Sequence, residues 1–203
     1  MLTKNKVMKD GVVLTTRHFK AEIENPHGVV VATNSQAQHI LNMQSTLAGL
    51  AKFGWDICGV DLRGHGHSSS ARAPLGHMEM DAGWDLLVSD FINVLEAEFD
   101  GVPWHERMIV APNIGGPLLL EVLKQWPDVA QKLVFITPPT NQPIILRLAR
   151  SFMKARILTN PADQPDELTM HQMYSFLGAQ LKDRKRLIDV VSSDQKQIGR
   201  AHV

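Results

Sequence analysis

Four short, mostly apolar runs punctuate the chain: Val29-Val30-Val31-Ala32, Trp55 to Val60, Met108 to Ala111 and Leu133 to Ile136. A strand wetted on one face alternates apolar and polar residues; an unbroken run reads as a strand covered on both faces. Between the runs lie segments with helical spacing: Leu41 to Phe53, stopped by Gly54, then Asp81 to Phe99, then Pro117 to Trp126. Alternating strand and helix argue for a mostly parallel sheet with helices on both faces. Ahead of them, Lys9-Asp10-Gly11 reads as a tight turn joining two short strands, Lys6–Met8 and Val12–Phe19. Asn25-Pro26-His27-Gly28 is a second break. After Pro138-Pro139 the alternation stops, and Pro143 to Asp189 reads as helices with no convincing strand. A helical insertion over the C-terminal edge of the sheet would account for it, because sites of open α/β sheets lie at that edge. The expected division is residues 1–139 as the N-terminal part of the core, 140–197 as a helical cap and 198–203 as a tail.

Charge narrows the partners. Lys plus Arg and Asp plus Glu both number 21, so nothing favours nucleic acid or an acidic membrane surface. The single cysteine, Cys58, has no internal disulfide partner and sits in an apolar run, which fits a reducing, cytoplasmic setting. Met1 to Asp10 is polar and basic, unlike a secretory leader. No apolar stretch approaches the ~20 residues of a membrane span. His65 and His67 flank Gly66 in a tight loop; local hydrogen bonding is the expected role, since no third ligand has metal-site spacing. Trp84, Phe91 and Phe99 read as the core-facing stripe of a helix. No metal and no other cofactor is expected. The oligomeric state stays open.

Three segments together carry a family resemblance. Gly59-Val60-Asp61-Leu62-Arg63-Gly64-His65-Gly66-His67-Ser68 is similar to the D-x-R-G-H-G-x-S loop after the fourth strand of monoacylglycerol lipases and lysophospholipases. Gly83-Trp84-Asp85-Leu86-Leu87-Val88-Ser89-Asp90 resembles the helix start that follows. Ala111-Pro112-Asn113-Ile114-Gly115-Gly116 stands where the family has its G-H-S-M-G-G nucleophile elbow. Leu133 to Pro139 resembles the sixth strand, and Arg186 to Asp194 a cap segment of one lysophospholipase branch. The resemblance runs from about residue 12 to residue 197 and implies an α/β-hydrolase fold of the serine aminopeptidase S33-like type. It implies carboxylic ester hydrolysis and a hydrophobic, lipid-like ester ligand.

The chemistry of the family needs an activated hydroxyl, a base, an acid that orients the base, and two backbone N–H donors for the oxyanion. Its elbow holds the nucleophile on a strained strand-to-helix turn. Asn113 occupies that position, and a delocalised carboxamide has no useful nucleophilicity. Asparagine does tolerate positive φ, so the turn is expected to survive while its chemistry is lost. Gly115 and Gly116 keep the elbow glycines. Pro112 biases Ala111 to an extended conformation, which a strand end accepts. The H-G-M-x-E-H oxyanion segment aligns with Asn34-Ser35-Gln36-Ala37-Gln38-His39, replacing its first histidine and glycine. The resemblance assigns the oxyanion donors to the N–H groups of Gln36 and Ile114.

The family's acid and base would lie beyond residue 203. Asp163, Asp166, His171 and His202 receive no catalytic role. Ile198-Gly199-Arg200-Ala201-His202-Val203 resembles a translated sequencing adapter, so the natural protein is expected to continue and the sixth strand to form an exposed apolar edge. Three functions remain in view. The first is an inactive hydrolase-fold protein that binds a lipid-like ester. The second is an active esterase with another nucleophile, through deamidation of Asn113 or through Ser35. The third is a non-catalytic module that uses the cap as a partner surface.

Overall fold

The computed structural model describes residues 1–36, 38–76 and 82–136. All of them belong to the first of two compact units, Met1–Pro143 and Ile144–Val203. The expected cap and tail lie outside the described residues, as do Arg186 to Asp194, Asp163, Asp166, His171 and His202.

Six strands form one sheet: β1 (Leu2–Val7), β2 (Val13–Phe19), β3 (Val29–Thr33), β4 (Asp56–Val60), β5 (Arg107–Pro112) and β6 (Lys132–Ile136). Their spatial order is β1-β2-β4-β3-β5-β6. β1 and β2 form an antiparallel hairpin, and β2 runs antiparallel to β4. The β4–β3, β3–β5 and β5–β6 pairs are parallel. Three helices connect them: α1 (Gln44–Lys52), α2 (Gly83–Glu98) and α3 (Gly115–Gln125). This is the α/β-hydrolase arrangement, a mostly parallel mixed sheet with helices on both faces.

The two faces hold two cores. Val31, Cys58, Val60 and Ile109 pack on one side with Leu87, Phe91, Val94 and Leu95 of α2 and Leu118, Leu119 and Val122 of α3. Val30, Ala32, Ile57 and Val110 pack on the other with Ile40, and with Leu47 and Ala51 of α1. Neighbours in sequence thus face opposite cores, which is why these strands read as unbroken apolar runs. Phe91 is fully buried, Phe99 is 2% exposed, and Trp84 packs against the same core, so the α2 stripe is as expected.

Among the boundaries that differ from the sequence reading, two are informative. β1 begins at Leu2, four residues before the expected Lys6, because an exposed hairpin strand has no burial pattern to read. α3 begins at Gly115, before the expected Pro117. Proline is tolerated there because the first N–H groups of a helix have no intrahelical partner. β6 has the composition of a buried strand, and its Val134, Phe135 and Ile136 are 39%, 39% and 36% exposed, as expected of an apolar edge. It is one of the two outer strands of the described sheet, paired with β5 alone. Among the described residues no helix is long and apolar enough to cross a membrane.

Phe91 anchors α2 to the sheet with no exposed surface. Phe91→Ala is expected to cost about 3–5 kcal/mol of stability, measured by urea unfolding.

Candidate active site

The parallel register places the loops after β3 and β5 side by side. Ala32 lies level with Val110, so Asn34 and its successors leave the sheet beside Pro112 and Asn113. The loop after β4 emerges at the same edge, because Thr33 is paired with Val60. The loops after β3, β4 and β5 therefore meet at the C-terminal edge of neighbouring strands.

The elbow is a tight turn between β5 and α3. Asn113 has φ 47°, the one non-glycine residue with positive φ among the described residues. The Asn113 N–H donates to the Ile136 carbonyl at 2.9 Å, and the Gly116 N–H donates back to the Asn113 carbonyl at 3.0 Å. Ile114 precedes α3 with helical φ and ψ of −60° and −27°. Asn113 and Ile114 are half-buried, while Ala111, Gly115 and Gly116 are buried. A Cβ on Gly115 would overlap the Thr33 hydroxyl, so only glycine lets α3 come this close to β3. That hydroxyl is itself buried with no hydrogen-bond partner among the described residues.

The loop after β3 holds Asn34, Ser35 and Gln36. Asn34 is fully buried. Its Oδ1 accepts from the Leu62 N–H at 2.7 Å, and its Nδ2 donates to the Ser35 and Gln38 carbonyls at 2.8 and 3.0 Å. The carboxamide therefore closes its own loop and latches it to the loop after β4. Ser35 is half-buried and Gln36 is exposed.

A second fixed point is Asp61, whose carboxylate is fully buried. Oδ1 accepts from the Ile40 N–H at 2.6 Å, and Oδ2 accepts from the His67 N–H at 3.0 Å. The Asp61 carbonyl accepts the Ser68 hydroxyl at 2.6 Å, and Ser68 Oγ accepts the Thr15 N–H at 2.8 Å. Gly66 has φ 47°, and a Cβ there would press on the Asp61 carboxylate at 2.6 Å. His65 and His67 take the local roles expected of them. His65 Nδ1 donates to the Arg63 carbonyl at 2.9 Å, and His67 Nδ1 lies 3.4 Å from Asp61 Oδ2. His39 and His67 stack edge to face with centroids 6.3 Å apart.

Arg63 ties this loop to the rest of the unit. Its Nε and Nη2 bond both oxygens of Asp90 on α2, at 2.8 and 3.0 Å, and its Nη1 donates to Asp10 in the β1–β2 turn. Burial pushes the Asp90 carboxyl up, and Arg63 opposes that push. Asp10 is held below its ordinary value by the Arg63 hydrogen bond. Sequence reasoning quoted Asp61, Arg63 and Asp90 within a motif but missed their roles. Asp90 lies 27 residues from Arg63 and Ile40 lies 21 from Asp61, distances that only the folded sheet closes.

Two outcomes follow. The Arg63 and Asp90 side chains are 9% and 4% exposed. Arg63→Met leaves Asp90 buried without its cation and is expected to cost about 3–5 kcal/mol in urea unfolding. Adding Asp90→Leu should recover much of that loss. Burial also holds the His65 imidazole below its ordinary value, so the folded state favours the neutral ring. Stability from that preference is full above the unfolded-state pKa of about 6.5 and is lost as pH falls through the lower folded-state value. The urea midpoint should therefore drop between pH 7 and pH 5, and should drop less in His65→Gln.

Comparison with known proteins agrees with this geometry. The profile of the serine aminopeptidase S33 family matches residues 24–201. Lysophospholipase L2 of Escherichia coli strain K12 is 25% identical over 147 residues, 71% of this chain and 42% of that protein. The chain thus spans less than half the length of that relative. Among solved structures, a lipase in its open form superposes with a TM-score of 0.70 at 15% identity, covering 94% of this chain and 64% of the lipase. A thermostable carboxyl esterase from Bacillus coagulans in complex with glycerol gives a TM-score of 0.70 at 12% identity, covering 93% and 60%. At such identities the structural matches speak for the fold, whereas the profile match covers most of the chain: it belongs to the serine aminopeptidase S33 family of α/β-hydrolases.

Proposed function

We propose that this protein keeps the architecture of a lysophospholipase- or monoacylglycerol-lipase-type hydrolase and binds a hydrophobic, lipid-like ester without cleaving it. The observation that carries the reading is Asn113 at φ 47°, at the turn between β5 and α3 where the family presents its serine. A serine hydroxyl gives up its proton to a neighbouring base and attacks a carbonyl. A carboxamide nitrogen has its lone pair delocalised into the carbonyl, and deprotonating it near neutral pH is far too costly. No neighbouring base repairs that.

Binding and turnover separate at this point. In this reading the N–H groups of Gln36 and Ile114 still face a ligand carbonyl and hydrogen-bond it. Oxyanion donors of this kind lower a barrier only when a nucleophile attacks. Without attack they contribute to affinity alone. Asn34 in place of the family histidine fits a loop kept for shape, since all three of its hydrogen bonds are structural.

The test pairs turnover with binding. The protein is expected to release no fatty acid from monoacylglycerol, lysophospholipid or short acyl esters above the protein-free rate. It is also expected to gain no mass from an activated phosphonate ester, and to bind a non-hydrolysable glycerol ether in calorimetry. Saturable turnover that Asn113→Ala abolishes would overturn the proposal.

A further inference from the structure

Away from the elbow, three side chains with different donor atoms converge on the face of the sheet under α2. His18 on β2 and Cys58 on β4 are direct cross-strand partners, so their side chains stand next to each other on one face. Glu98 is the last residue of α2. It lies seven positions after Phe91 and four after Val94, on the stripe that faces the sheet. His18 Nε2 is 4.0 Å from Cys58 Sγ, and His18 Nδ1 is 3.7 Å from Glu98 Oε2. One ligating atom from each residue lies within 4.8 Å of the other two.

We propose that His18, Cys58 and Glu98 form a binding site for one divalent transition-metal ion of the zinc type, with its fourth position open to solvent. Imidazole nitrogen, thiolate sulfur and carboxylate oxygen are the ligands that borderline ions such as Zn²⁺ share, while hard ions such as Mg²⁺ avoid the sulfur. Thiolate and carboxylate supply two negative charges with a neutral imidazole, which balances a divalent ion. The site is graded in access: Cys58 is fully buried, while the His18 and Glu98 side chains are 13% and 25% exposed. Solvent therefore reaches it from the His18 and Glu98 side. Zinc–ligand bonds of about 2.0–2.3 Å put tetrahedral donors about 3.3–3.7 Å apart. On this proposal the three groups close by about an ångström through rotation of the Glu98 and His18 side chains.

The surroundings set the protonation states. Burial, aided by Lys4 and Lys20, keeps the His18 imidazole below its ordinary value against the pull of Glu98, so its lone pair is available. Burial and the Glu98 carboxylate hold the Cys58 thiol well above its ordinary value, with Lys4 and Lys6 opposing. Without a metal, the thiol keeps its proton and the cluster is a hydrogen-bonded group. His18 Nε2 also lies 2.9 Å from the Thr16 hydroxyl. Binding one M²⁺ forms the M–S bond and releases the thiol proton to solvent, so one proton leaves per ion bound. No electron is transferred. The ion would clamp β2, β4 and the end of α2 together.

Cobalt provides the test, because a thiolate bound to Co²⁺ gives a charge-transfer absorption and Cys58 is the only thiol in the chain. The chelator-treated 203-residue protein is titrated with Co²⁺ and then with Zn²⁺. Expected are a charge-transfer band that saturates at one ion per chain, its bleaching by Zn²⁺, and its absence in Cys58→Ser. Glu98→Gln and His18→Ala should weaken Co²⁺ at least tenfold. Glu98→Gln is the variant least disruptive to folding, and circular dichroism checks that it folds. Zn²⁺ should raise the thermal midpoint of the wild type and leave that of Glu98→Gln unchanged. Absence of the band in the wild type at millimolar Co²⁺ would overturn the site. So would a band of equal strength in both Glu98→Gln and His18→Ala.

Discussion

The carboxylate of Asp61 is a charge with no exposed surface, and it holds two loops at once. It accepts the Ile40 N–H at the end of the loop after β3 and the His67 N–H in its own loop. Burying a carboxylate is tolerable only when N–H donors replace its lost water. That requirement runs in both directions. The loops supply the donors, and the carboxylate fixes where the loops can be. Gly66 belongs to the same arrangement, because any side chain there would press on the carboxylate. Arg63 extends the hold to α2 and to the β1–β2 turn. The edge of the sheet that carries the elbow is thus cross-linked by buried and half-buried hydrogen bonds.

Within that frame, two asparagines hold their own stretches of chain. Asn34 satisfies both ends of its carboxamide, to Leu62 on one side and to Ser35 and Gln38 on the other. Asn113 occupies a left-handed conformation that few side chains other than glycine accept. Asparagine at each position does structural work: it tolerates a strained turn in one case and bridges two loops in the other. Neither supplies a group that gives up or takes a proton near neutral pH.

The strands β3, β4 and β5 were legible because both their faces are buried, and that condition writes itself as an apolar run. The polar strand β1 was cut short because Thr3, Lys4 and Asn5 face water and carry no pattern. The start of α3 was read too late because Gly115 and Gly116 look like loop residues. Their real reason is contact: a side chain at Gly115 would collide with Thr33. The turn at Asn113 was legible from residue chemistry, since positive φ selects asparagine. The Arg63–Asp90 pair and the Asp61 contacts were not, because each joins residues more than twenty positions apart. The cluster of His18, Cys58 and Glu98 was hidden for the same reason. Its first two members meet only through cross-strand register.

Among the described residues, the hydrogen bonds that close the elbow all belong to the main chain. The Asn113 N–H is taken by Ile136, and its carbonyl by Gly116. The side chain at 113 is thus an ornament on a turn held together by its neighbours. Folding asks of that position only tolerance for an unusual φ, a demand that glycine, asparagine and aspartate meet with little strain. A lineage could exchange one for another with scarcely any penalty in stability, and nothing in the scaffold would record the change. Whatever keeps a particular residue there over generations must act through something other than the fold.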